Sequence, residues 1–114
     1  MPVIEQKEIR ELLFKIAVPT HTKGYEYLIS AIEKSAKDSS ISKCHELYPE
    51  IAQEHGSQPK AVETRMRYAI RETLANCPTE YLYDIFKGRK QLSISRFISC
   101  IIEYLKINGG RKNG

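Results

Sequence analysis

Between positions 60 and 71 the chain places Lys60, Glu63, Thr64, Arg65, Arg67, Tyr68 and Arg71, a mixture of cations, donors and acceptors. Wound as a helix at about 100° per residue, Lys60, Thr64, Arg67, Tyr68 and Arg71 fall on one side. Val62, Met66, Ala69, Ile70 and Thr73 fall opposite, with Glu63 and Arg65 on the two flanks. Such a rod packs by its apolar side and offers its polar side to a partner. Duplex DNA is the surface these groups fit. Arginine donates two hydrogen bonds to guanine, glutamate accepts from the cytosine amino group, and threonine meets a base methyl or edge. Further lysines and arginines fix register on the phosphates without reading sequence. A basic helix face alone is more often just a solvated surface, so the surrounding elements decide.

The stretch just upstream has the spacing of a helix-turn-helix. Ala52 is small enough for two helices to cross closely, and Gly56, four residues on, tolerates the positive φ of the turn. Val62, six residues after the glycine, buries the inner face of the second helix. Pro59 suits a first helical turn, where no amide donor is required, and Ser57 or Gln58 would cap it. Arg65 stands where an apolar residue is usual, so Met66 must close the packing.

The remaining elements follow from periodicity. Ile9, Leu12, Leu13 and Ile16 mark an amphipathic helix that ends before Pro19, and VPTHTKG reads as a connector. Tyr25, Leu28, Ile29, Ile32 and Ala36 mark a second helix, broken by KDSS. A short helix over 41–48 leads into Pro49, where the first helix of the motif begins. The long helix runs to about Asn76 and is stopped by Cys77 and Pro78. Thr79 caps a short helix carrying Tyr81, Leu82, Ile85 and Phe86, and KGRKQLS is a basic loop. Ile94, Phe97, Ile98, Ile101, Ile102 and Leu105 give an apolar last helix, ended by Asn108, Gly109 and Gly110. No stretch alternates with a period of two. The expected fold is all-α, about six helices in a single domain over 1–114, with its core at 9–107 and a flexible basic tail at 108–114.

Lys and Arg outnumber Asp and Glu by 18 to 14 in 114 residues, a net charge of +4. The balance is weak evidence for a nucleic-acid partner; the distribution is stronger. Cations gather at 60–71, at 87–90 and in the tail at Arg111 and Lys112, whereas most carboxylates lie elsewhere. Cys44, Cys77 and Cys100 are an odd number without close pairing and read as buried or half-buried thiols in a reducing compartment. With no apolar run of membrane-spanning length and no secretory pattern, a cytoplasmic protein is expected.

Other chemistries find little support. Cys44, His45 and His55 lack metal-ligand spacing, so neither metal nor cofactor is expected. Glu46 and Glu50 read as a solvated face, and no nucleophile, base or phosphate loop suggests an enzyme. Tyrosines occupy mostly apolar helical positions, Tyr68 being the exception. The last helix reads chiefly as core, with a second use as a homodimer surface.

Several stretches resemble the C-terminal DNA-binding domain of the sporulation stage-zero A response regulator family. VPTHTKGYEYLISAI is similar to that family's Val-Pro-x-His-x-Lys-Gly-Tyr-x-Tyr-Leu segment, and LYPEIA to its Leu-Tyr-Pro-Asp-Ile-Ala. AVETRMRYAI resembles its recognition helix and SRFISCIIEYL its last helix, so the likeness spans roughly 16–105. It implies six helices, the third and fourth forming the motif, and binding to promoter boxes, often tandem, with contacts to RNA polymerase. Glu63 and Arg67 match family positions that face the bases. Thr64 replaces a base-contacting arginine, Tyr68 a histidine and Leu74 a tryptophan, and the loop before the last helix is shorter. The family's phosphoryl-accepting receiver domain is not in this sequence.

The expected function is thus a sequence-specific, double-stranded DNA-binding transcription regulator. Glu63, Thr64 and Arg67 are the expected base readers, with Arg67 foremost. Ser57, Lys60, Arg65, Arg71, His21, Lys23, Lys87, Arg89 and Lys90 are the expected phosphate contacts. The competing reading is a protein-interaction module that modulates a full-length family regulator; the basic ridge weighs against it.

Overall fold

A computed structural model describes residues 4–37 and 44–109. Its helices begin and end where local chemistry dictates. α1 (Gln6–Lys15) starts where the Glu5 amide donates to the Glu8 carboxylate at 3.4 Å. It stops as Ala17 turns to φ 70° and Val18 N–H donates back to the Leu13 carbonyl at 3.0 Å. α2 (Lys23–Lys37) begins where the Thr22 hydroxyl accepts from the Tyr25 amide at 3.3 Å. The connector is therefore two residues shorter than its composition suggested, because Lys23 and Gly24 already belong to the helix.

A 3-10 turn (Cys44–Leu47) leads into α3 (Tyr48–His55), so the expected 41–48 helix is corrected: 44–47 form only this turn, Tyr48 already belongs to α3, and 41–43 lie outside the described residues. α4 (Pro59–Asn76) ends, as expected, where Pro78 forbids continuation. Pro78 itself takes the cap position of α5 (Thr79–Phe86), and Thr79 is the first helical residue instead of the cap. α6 (Ile94–Gly109) continues through Asn108 and Gly109, and the rest of the expected tail, 110–114, lies outside the described residues.

Among the described residues every regular element is helical, and one apolar cluster joins all six α-helices. α2 occupies its centre, with Tyr27, Leu28, Ile29, Ala31 and Ile32 sealed from solvent against α1, α3, α4 and α6. α5 is tied to α6 by Phe86 stacked on Phe97, with ring centroids 5.0 Å apart. The stripe of α6 that suggested a dimer surface, Phe97, Ile98, Ile101 and Leu105, is buried in the chain's own core. Its outward apolar groups are Ile107 and the half-buried Ile102 and Tyr104. Among the described helices none is long and apolar enough to cross a membrane.

Candidate nucleic-acid interface

The angle between α3 and α4 is set by their turn. Gly56 adopts φ 64° and ψ 42°, and the Ser57 amide donates to the Ala52 carbonyl at 2.8 Å, closing the end of α3. That left-handed position suits glycine, which has no Cβ to strain. Ala52 and Ile51 from α3 and Val62 from α4 are all buried at the crossing. Gln58 caps α4 by its backbone geometry alone, and Pro59 fills the first turn as its chemistry requires.

α3 is in turn clamped to α2. Lys34 bridges two carboxylates on successive turns of α3, Glu54 and, at 3.4 Å, Glu50. These contacts hold the Lys34 ammonium above its ordinary pKa, the hydrogen bond to Glu54 contributing most. His55 lies 3.1 Å from the Ser30 hydroxyl and edge-on to the Tyr27 ring at 5.2 Å. His55 is therefore part of the scaffold. Among the described residues no three side chains are grouped to hold a metal ion, and the side chains of Cys44 and His45 lie outside that description.

α4 then divides as its periodicity demands. Val62, Met66, Ala69, Ile70, Thr73 and Leu74 are buried, and Met66 is fully enclosed despite the arginine before it. The buried Thr73 hydroxyl of α4 donates to the Ala69 carbonyl at 2.7 Å and so carries no unmet polar group into the core. Lys60, Thr64, Arg65, Arg67, Tyr68 and Arg71 are exposed along the other side. Tyr68 keeps 48% of its surface in solvent, but so does more than half of Tyr83, an exposed tyrosine that its apolar helical position did not suggest.

Two shoulders flank this ridge. On one side the start of α2 approaches α4 so closely that a Cβ on Gly24 would lie 2.5 Å from the Arg65 carbonyl oxygen. The resulting groove, about 660 Å³, is lined by Thr22, Gly24, Lys60, Ala61, Thr64, Arg65, Tyr68 and Arg71. Lys23 and His21 are exposed beside it in sequence. On the other side the α5–α6 loop brings Lys90 and Gln91 next to Arg67 and Arg71 around a smaller hollow of about 260 Å³. Arg71 borders both.

Not every cation expected at the ridge lies there. Lys87 lines a separate cleft between α5 and α6 with Tyr83, Asp84, Cys100 and Glu103. Burial raises the Cys100 thiol above its ordinary pKa, and Arg96, Arg89 and Lys87 are near enough to oppose that rise. The chain reverses at Lys87 and Gly88, both at positive φ, and it is Lys90, Gln91 and Leu92 of the loop that return to α4. Ser57, half-buried in the turn, sits at the entry to α4.

Electrostatically the ridge is less bare than its composition suggests. Arg67 donates through Nη2 at 2.7 Å and Nε at 3.2 Å to one oxygen of Glu63. The other oxygen of Glu63 lies 3.6 Å from the Lys60 ammonium. Hydrogen bonding from Arg67 above all holds the Glu63 carboxyl below its usual range, and Lys60 adds to the effect. Arg67 nonetheless keeps 62% of its side chain in solvent. Glu63 and Arg67, considered one at a time as readers, are thus a pair in the unbound molecule.

Sequence reasoning missed Gly24 and Gln91. Gly24 was read as the end of the connector, and its necessity depends on a contact with α4 far along the chain. Gln91 gave no signal apart from standing in the basic loop.

A family model, that of the C-terminal domain of the sporulation initiation factor Spo0A, matches residues 9–105. The match begins at the first buried residue of α1 and ends at the last of α6, enclosing the helix-turn-helix and both shoulders. The chain therefore belongs to the Spo0A C-terminal family of DNA-binding regulatory domains.

Proposed function

We propose that this chain is a sequence-specific regulator of transcription that inserts α4 into the major groove of duplex DNA. The observation that carries this reading is the exposed polar ridge of α4 standing between the start of α2, where Lys23 is exposed, and the loop that carries Lys90. A major groove is bordered by two phosphate strands, and a helix lying in it needs phosphate contacts on both sides. In this reading Arg67 donates to guanine, Glu63 accepts from a cytosine amino group, and Thr64 meets a base methyl or edge. Lys60, Arg65, Arg71, Lys23 and Lys90 sit on phosphates, with His21 and Ser57 beside them. Lys87 and Arg89 would reach only DNA that extends toward the α5–α6 face. Promoter boxes in tandem, contact with RNA polymerase and a homodimer through the outward side of α6 belong to the same proposal.

Titration against a selected box and a scrambled duplex at several salt concentrations tests the assignment. Arg67→Ala should weaken binding to the box by about 1–3 kcal/mol and relax discrimination at one base pair. Lys60→Ala should weaken binding to every duplex alike and reduce the salt slope by about one unit. Equal losses on all duplexes for both variants would show that readers and positioners have been confused.

A further inference from the structure

The Arg67–Glu63 contact uses the donors that a guanine edge or a phosphate would need. Nε and Nη2 form one side of the guanidinium fork, and both point at a single carboxylate oxygen. Exposed pairs at this spacing do little for a fold. The contact matters instead to whatever must compete for Arg67. Glu63 also lies between two cations of the ridge, Lys60 and Arg67, and so cancels one positive charge at its centre.

We propose that Glu63 is a built-in counter-ion that withholds Arg67 from random duplex and releases it only where bases replace both halves of the pair. This rests on the DNA-binding reading above. On arbitrary sequence, a phosphate that captures Arg67 leaves the Glu63 carboxylate facing a polyanion with only the longer contact to Lys60. Each attractive contact is then opposed by a repulsive one. On a matched box, guanine O6 and N7 take the arginine donors while a neighbouring cytosine amino group serves the carboxylate. Exchange is complete only there. Glu63 therefore sets specificity by suppressing the wrong complexes as well as by favouring the right one.

The test measures affinity for a selected box and for random-sequence duplex across a range of salt, in wild type, Glu63→Gln, Glu72→Gln, Arg67→Ala and the Glu63→Gln/Arg67→Ala double variant. Glu72 is a half-buried carboxylate on the same helix and controls for the bare change in charge. Freeing one cation for a phosphate should tighten random binding by Glu63→Gln roughly five- to ten-fold near 0.1 M salt and steepen its salt slope by about one unit. The ratio of box to random affinity should fall by at least that factor. Glu72→Gln should have a clearly smaller effect, and Glu63→Gln should change little once Arg67 is alanine. The proposal is overturned if Glu63→Gln fails to tighten random binding, if Glu72→Gln matches it, or if the effect survives without Arg67. In each of these cases wild-type binding to the box leaves the DNA-binding reading standing. Wild type that binds no duplex removes both.

Discussion

At the scale of single residues, two kinds of position carry the site, and only one announces itself. The division of α4 into buried Val62, Met66, Ala69 and Ile70 and exposed Lys60, Thr64, Arg67 and Arg71 was legible because helical period alone imposes it. Gly24 was not, since its meaning comes from the Arg65 carbonyl, which no local pattern places beside it. The backbone oxygen of a well-formed helix cannot retreat as a side-chain tip could. Gly24→Ala should therefore destabilise the fold by about 1–3 kcal/mol, as overpacked sites do, and weaken DNA binding on every sequence by displacing the first shoulder. Thermal unfolding together with the duplex titration checks it; an unchanged midpoint would show that α2 and α4 separate freely. Thiols give a second residue-scale expectation. Burial raises Cys77 and Cys100 above their ordinary values, so at neutral pH little of either is thiolate. Site-resolved alkylation should label both more slowly than an unstructured thiol peptide and accelerate as pH rises.

At the scale of elements, α4 is held by its own packing on α2 and α3 and by contacts between those two. α3 fixes α4 through the Gly56 turn, and α2 fixes α3 through Lys34 and His55. Because the folded-state pKa of Lys34 lies above its ordinary value of 10.5, its stabilisation is whole below that value and disappears as pH climbs through the raised one. Lys34→Met should lower stability by up to about 1 kcal/mol at neutral pH, with the difference from wild type vanishing in strongly alkaline solution. Denaturant titrations at pH 7 and above the raised value measure it; a difference that persists there would assign the effect to lost packing. Among the elements, the helices themselves were legible and their ends less so. Thr79 has the composition of a cap, but Pro78, with its fixed φ, already occupies that place. The KGRK run looked like one basic patch. A double left-handed turn at Lys87 and Gly88 divides it, and charge composition carries no information about such a reversal.

At the scale of the whole molecule, the absence of period-two alternation was enough to give the fold class, because each helix of a small domain must show its core-facing side. What it could not give was the order of burial, with α2 at the centre; that the apolar stripe of α6 serves chiefly the chain's own interior was already its expected role. A single cluster linking every α-helix implies one cooperative unit. Thermal transitions followed by far-UV circular dichroism and by tyrosine fluorescence should coincide, whereas separate midpoints would mean that the α5–α6 end unfolds independently of the motif. The same continuity makes the small residues at contacts, Ala52 and Gly24, part of what sets the position of α4.

One helix, α4, is at once a wall of the interior and an exposed polar ridge, and the two use different side chains. The outward alphabet at positions 60, 64, 67, 68 and 71 is consequently free of core packing. It can be rewritten in combination, and a relative's set can be transplanted wholesale, with the expectation of a changed address on the genome and an unchanged scaffold.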